Sequence, residues 1–213
     1  MSSPNKKNHH VRQTMAAWIL HILDGCADKI YGRRKKAIFQ DLPSTVVEIG
    51  AGTGANFRYY RPGTRVIAVE PNQAMHPYLR SAAQRYELEL DLRGTKGERL
   101  DLETASVNAV VGTLVLCSVD APHQVVSEIR RVLKPGGRFI FIEHVAAIGN
   151  TPLARLQHVL HRIWHLLFDG CRLNRKTWST IYAAGFDYVA MDCFRLKPHI
   201  APISPHILGV AMN

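Results

Sequence analysis

The segment Val46-Val-Glu48-Ile-Gly50-Ala-Gly52-Thr-Gly54 constrains the fold more than any other stretch of the chain. A β-branched run reads as a buried strand, and the alternating glycines after it make a loop where backbone can approach a ligand that side chains would block. Twenty positions beyond Gly50, the run Val66-Ile-Ala-Val-Glu70 closes a second apolar stretch with a carboxylate. That is the distance at which nucleotide-binding folds offer an acid to a ribose.

The rest of the chain alternates strand and helix patterns around this pair. Strands are predicted over 45–49, 65–69, 87–92, 107–116, 138–145, 186–194 and 206–212. Helices are predicted over about 72–86, from Asp120-Ala-Pro122 to Lys134 with Asp120 as the cap, over 152–168, and from a capping Thr177 to Ala184. The fold expected is α/β: a doubly wound, Rossmann-like, mostly parallel sheet of seven strands. No helix separates the last two strands, so they are expected as an antiparallel hairpin at the sheet edge. Before the first strand, 1–10 reads as a disordered polar leader and about 11–41 as a helical lid on a single domain, 11–213. That helix carries Trp18, Ile19, Ile22 and Leu23 on one face, with breaks expected at Gly25 and Gly32.

A length of 213 residues suits one such domain. The four cysteines, Cys26, Cys117, Cys171 and Cys193, show no metal-ligand spacing. The polar start does not read as a signal peptide, and the apolar run 15–23 is far short of the roughly 20 residues that span a bilayer. A cytoplasmic protein is therefore expected. The net charge of +10 is spread over separate clusters at Arg33–Lys36, Arg130–Lys134 and Arg172–Lys176. No nucleic-acid motif accompanies them, which disfavours nucleic acid; an anionic membrane surface stays open as a peripheral contact. Oligomeric state is not legible.

Gly50, Gly52 and Ala55 also satisfy the relaxed dinucleotide pattern. Three features favour a methyl donor instead: Glu48 ahead of the glycines, Lys134-Pro-Gly-Gly137 ahead of a strand, and an edge hairpin where a second catalytic domain would otherwise follow. With these residues the chain resembles the class I S-adenosylmethionine-dependent methyltransferases. Within them it is similar to the thiol S-methyltransferases, through Glu48–Phe57, Thr113-Leu-Val-Leu-Cys-Ser-Val119, Leu133–Gly137, Glu143-His-Val-Ala146 and Trp164-His-Leu-Leu-Phe-Asp-Gly-Cys171. The likeness runs from about residue 30 to the C-terminus.

The resemblance implies S-adenosyl-L-methionine as cofactor, S-adenosyl-L-homocysteine as its product, and a small-molecule thiol or lipid-like acceptor. It implies a cofactor site of Glu48, Gly50, Gly52, Gly54, Glu70, Pro71, Gly97, Glu98, Thr113 and Leu114. Glu70 would hold both ribose hydroxyls, Pro71 would pack on adenine, Gly97-Glu98 would border the adenine edge, and Thr113-Leu114 would face the methionine part.

A thiol of pKa roughly 8.5 needs little help to become a nucleophile beside a sulfonium. His144, closing its strand on the ligand side, is the candidate for assisting deprotonation. Asp169 is the second catalytic candidate, Cys117 is expected to be a buried inert thiol lining the acceptor pocket, and no metal is expected. Leu153, Leu156, Leu160, Ile163, Leu167 and Phe168 stand at helical spacing and are expected in the core, with a basic interfacial helix as the alternative. Two other functions remain: a phosphatidylethanolamine N-methyltransferase at a membrane, and a non-catalytic S-adenosylmethionine-binding module.

Overall fold

Strict alternation in the central strands sends side chains into two separate cores. The computed structural model describes residues 4–168, 170–197 and 202–213, with side chains from residue 11 onward. Its elements are α1 (Pro4–Phe39), β1 (Thr45–Ile49), β2 (Arg65–Val69), α2 (His76–Arg85), β3 (Glu89–Arg93), β4 (Val107–Thr113), α3 (Pro122–Val132), β5 (Leu133–His144), α4 (Pro152–Leu167), α5 (Thr177–Tyr182), β6 (Tyr188–Arg195) and β7 (Pro205–Met212). Val47, Ile49, Ile67, Val69, Phe139 and Phe141 pack with Val125, Ile129 and Ile181 of α3 and α5. The intervening Val46, Val66, Ala68 and Ile140 pack with Phe39, Phe57, Tyr60 and Leu79 on the opposite face.

The seven strands run in the order β3-β2-β1-β4-β5-β7-β6. The first five are mutually parallel, while β7 pairs antiparallel with both β5 and β6. Chain order reverses between β1 and β4, where Ile49 pairs with Gly112. The glycine loop after β1 thus emerges beside Thr113 and Leu114 after β4, in the crevice where such sheets bind ligands. The expected sheet and edge hairpin are both present.

Several local expectations change. Pro4–Phe39 is one continuous helix, so residues 4–10 are helical where a disordered leader was expected. Gly25 does not break it: a Cβ there would meet nothing within 4 Å, so its cost is only the about 1 kcal/mol of a helical glycine. The face α1 buries is also different. Ala16, Ala17, Tyr31, Lys35 and Phe39 are buried, whereas Trp18, Ile22 and Leu23 are exposed.

The Pro135-Gly136-Gly137 turn is a bulge inside β5, not a loop ahead of it. The register jumps from Val107↔Leu133 to Ala109↔Arg138, and Gly136, at φ +74°, donates its N–H to Asn213 O. Asp120 does not cap α3; Ala121 holds that place, and the Asp120 carboxylate pairs with Lys96 Nζ at 3.0 Å. Lys176, not Thr177, precedes α5, and Thr177 is buried in its first turn.

The largest correction concerns α4. Leu156, Ile163 and Leu167 are exposed rather than in the core, together with Val159 and Leu166. Its one fully buried side chain is polar. Gln157 donates to Val145 O and Pro202 O and accepts from Ala147 N–H, tying the helix to the segment after β5. No described helix is long and apolar enough to cross a membrane.

Candidate active site

The three glycines of the loop all have φ near +60° or above, a region that costs other residues roughly 1–2 kcal/mol. Their surroundings separate their roles. A Cβ on Gly50 would stand 2.3 Å from Val115 Cγ2, and one on Gly54 would stand 2.8 Å from Ala82 Cβ. Both glycines are demanded by packing. A Cβ on Gly52 would meet nothing nearer than 3.8 Å, so Gly52 alone presents open backbone.

Glu70, at the end of β2, is buried against this loop. Its Oε2 accepts the Gly52 N–H at 2.8 Å and its Oε1 accepts the Asn72 N–H at 2.8 Å. The two backbone amides fix the orientation of the carboxylate against the loop. Pro71 beside it is exposed. Asn72 Nδ2 donates to Gln13 O of α1 at 3.1 Å, which lays the N-terminal part of α1 against this corner.

Glu48 lies beneath the loop. Oε1 accepts from Asn56 Nδ2 at 2.8 Å and Oε2 from Tyr60 O–H at 2.6 Å, and Asn56 Nδ2 also donates to Thr113 Oγ1 at 2.9 Å. Glu48 therefore ties the end of β1 to the following turn and, through Asn56, to the end of β4. Asn56 Oδ1 is buried with no partner. An acceptor left free at this point suits the ammonium of an amino-acid moiety, and with Gly52 and Glu70 the residues present fit S-adenosylmethionine. Asn56 was not singled out in the sequence as a site residue, although it stands inside the motif.

Burial pushes Glu48 up to about 7, against hydrogen bonds from Tyr60 and Asn56 that pull it down. The folded chain thus holds a proton that the unfolded chain releases from about pH 4.5. The stability this contributes is fully present below 4.5 and is lost as pH rises through 7, an effect of about 3 kcal/mol. Glu48→Gln should remove that slope. Urea midpoints at pH 5 and pH 8 will show the wild type losing more stability than the variant; equal losses refute the shift.

Gly97 is buried, and a Cβ on it would lie 2.9 Å from Ile49 Cγ2. Glu98 Oε1 accepts from Ala121 N–H at 3.3 Å at the start of α3. Leu114 has φ +56°, rare for a branched residue, and stands 37% exposed at the mouth of the crevice. A strained backbone there costs about 1–2 kcal/mol and is held by Leu114 N–H donating to Ile142 O. Glu143 fixes the next turn, accepting the N–H groups of Val115, Leu116 and Cys117. It is the structural residue here, and its neighbour His144 points elsewhere.

His144 Nε2 lies 2.9 Å from Cys171 Sγ, and His144 Nδ1 is buried without a partner. Cys117, His144 and Cys171 are all buried, with their donor atoms within 4.8 Å of one another. Sequence spacing gave no hint of this cluster, since 27 residues separate each member from the next. Asp169 lies outside the described residues.

A family model described as "Methyltransferase domain" matches residues 47–141. The human "Thiol S-methyltransferase TMT1A" is 38% identical over 84% of this chain and 78% of its own. The rat "Thiol S-methyltransferase TMT1B" is 40% identical over 79% of this chain and 70% of its own. Among solved structures, the Burkholderia thailandensis 1,6-didemethyltoxoflavin-N1-methyltransferase, with S-adenosylhomocysteine bound, superposes with a TM-score of 0.65 at 18% identity, over all of this chain and 91% of its own. That likeness is one of fold. With the glycine loop, Glu70 and the strand order in place, the chain belongs to the thiol S-methyltransferase family of class I S-adenosylmethionine-dependent methyltransferases.

Proposed function

We propose that the chain transfers a methyl group from S-adenosylmethionine to a small-molecule thiol. The observation that carries the acceptor class is its identity of 38–40% to thiol S-methyltransferases over most of both chains. The donor supplies a methyl group already activated on a sulfonium, so the protein's task is mainly to bind and align. In this reading Glu70 holds the ribose, with Pro71 and the Gly97-Glu98 turn around the base. Gly52 and Asn56 Oδ1 receive the amino-acid end, and Gly50, Gly54, Glu48 and Thr113 keep the loop in shape. Leu114 borders the methyl group, and His144, with the thiols around it, faces the acceptor sulfur.

The lid is α1. Gln13 reaches Asn72, His21 stacks on Tyr78 at 4.4 Å, Asp24 pairs with Arg58, and Tyr31 O–H bonds His206 Nε2 at 2.8 Å. A thiol substrate enters and leaves a site beneath it.

A peripheral membrane contact is a second reading, favoured by one observation. Val11, Met15 and Trp18 of α1 and Val159, Ile163 and Leu166 of α4 are exposed, and Arg12 Nη2 donates to Leu166 O where the two helices meet. Exposed apolar stripes flanked by Arg155 and Arg162 suit an anionic surface.

The test is incubation with methyl-labelled donor and, in parallel, a panel of alkyl and aryl thiols or phosphatidylethanolamine vesicles. Label in the thioether fraction is expected. Label confined to the lipid extract, or none in either fraction from donor-binding protein, would overturn the thiol assignment.

A further inference from the structure

We propose that Cys117 Sγ, His144 Nε2 and Cys171 Sγ form a binding site for one soft divalent ion of the zinc class, with the fourth place open to a thiolate. Three parts of the fold supply the donors: the turn after β4, the last residue of β5 and the segment after α4. All three side chains are buried, at 2%, 4% and 7% exposure, and the donor atoms lie within 4.8 Å of one another. Two sulfurs and an imidazole are the donor set of a catalytic zinc site, and they discriminate against magnesium and calcium.

The segments carrying these donors are fixed by bonds through other groups, while Cys117 Sγ makes only weak thiol contacts, to Leu114 O at 3.4 Å and Ser118 Oγ at 3.5 Å, that a metal would replace. Arg172 N–H donates to Cys117 O at 3.0 Å, joining the two cysteine segments directly. Arg175 Nη1 donates to Leu116 O and Val119 O, and Glu143 accepts the three amides leading into Cys117. Gly170, at φ +87°, permits the approach: a Cβ there would lie 3.1 Å from Ser118 O. Such outer support is what orients ligands before an ion arrives.

Charge also balances. The two cysteine thiolates neutralise a dication, and the single negative charge that a thiolate in the fourth place adds falls near the Arg175 guanidinium, held on Leu116 O and Val119 O. Tetrahedral bonds of about 2.1 Å to nitrogen and 2.3 Å to sulfur require a nitrogen–sulfur separation of roughly 3.6 Å. The 2.9 Å between His144 Nε2 and Cys171 Sγ therefore opens by less than 1 Å on loading.

The metal site stands on geometry alone, whereas the thiolate in the fourth place rests on the thiol reading above. Both are tested on the whole chain without methyl donor, so a failure here leaves the methyl-transfer assay untouched. Protein kept reduced with a phosphine is depleted with a chelator, then titrated with Zn²⁺ or Co²⁺. About one equivalent of zinc should bind, and cobalt should give tetrahedral d–d bands with a thiolate charge-transfer band in the near ultraviolet. Cys117→Ser and Cys171→Ser should each weaken zinc binding at least tenfold, while Cys26→Ser and Cys193→Ser, at exposed positions, should not. Adding 2-mercaptoethanol to the cobalt form should shift its spectrum. No ion bound at micromolar zinc, binding that survives both buried-cysteine variants, or a Cys117–Cys171 disulfide in place of binding would overturn the site. An unchanged cobalt spectrum would overturn the open fourth place.

Discussion

Glu70→Ala is expected to weaken S-adenosylhomocysteine binding by about 100-fold, read by calorimetry. The carboxylate accepts the amides of Gly52 and Asn72, and in the proposed reading it also holds the ribose hydroxyls. Losing two charge-assisted hydrogen bonds from a buried site costs about 3 kcal/mol, which is that factor. Glu70→Gln keeps the shape and one acceptor, so it should fall between the two. The amides of Gly52 and Asn72 lose their partner as well, and a melting curve will show how much of the loss is structural. Undiminished affinity in a folded Glu70→Ala protein would remove this residue from the ribose site.

The second large effect separates two glycines that look equivalent in the motif. Gly50→Ala should destabilise the fold by about 2–5 kcal/mol, because strain at φ +63° adds to a Cβ overlapping Val115. For a chain of this size that lowers the melting temperature by about 10 °C. Gly52→Ala should cost only the strain, about 1–2 kcal/mol, yet its methyl group would project where the donor passes. The signature is a crossing of effects: stability lost at position 50 and donor affinity lost at position 52. Equal stability losses with donor binding intact at 52 would show that the open backbone of Gly52 does not face the ligand.

That distinction marks the limit of what the motif discloses. Strands at 45–49 and 65–69, the parallel order and the edge hairpin are written in local patterns, because period-two alternation and the missing last crossover helix leave few other folds. The division of labour within the glycine loop depends on Val115 and Ala82, which reach it from other elements. Helix α4 misled for a related reason. Its leucine spacing states only that one face is apolar, whereas docking is decided by Gln157 meeting the backbone of Val145, Ala147 and Pro202. Cys117, His144 and Cys171 are brought together by tertiary folding alone. Short-range spacing rules cannot register donors so far apart in the chain.

Continuity of the first helix has a mechanical consequence. Between Tyr31, pinned to His206, and Gln13, bonded to Asn72, the backbone is a single rod 18 residues long, about 27 Å at helical rise. Pivoting by about 10° at the histidine end sweeps the glutamine end through an arc of about 5 Å. A change at His206, four strands along the sheet from β2 and the sugar pocket, would act there as a lever, opposed by the holds of Tyr78 on His21 and Arg58 on Asp24 along its arm.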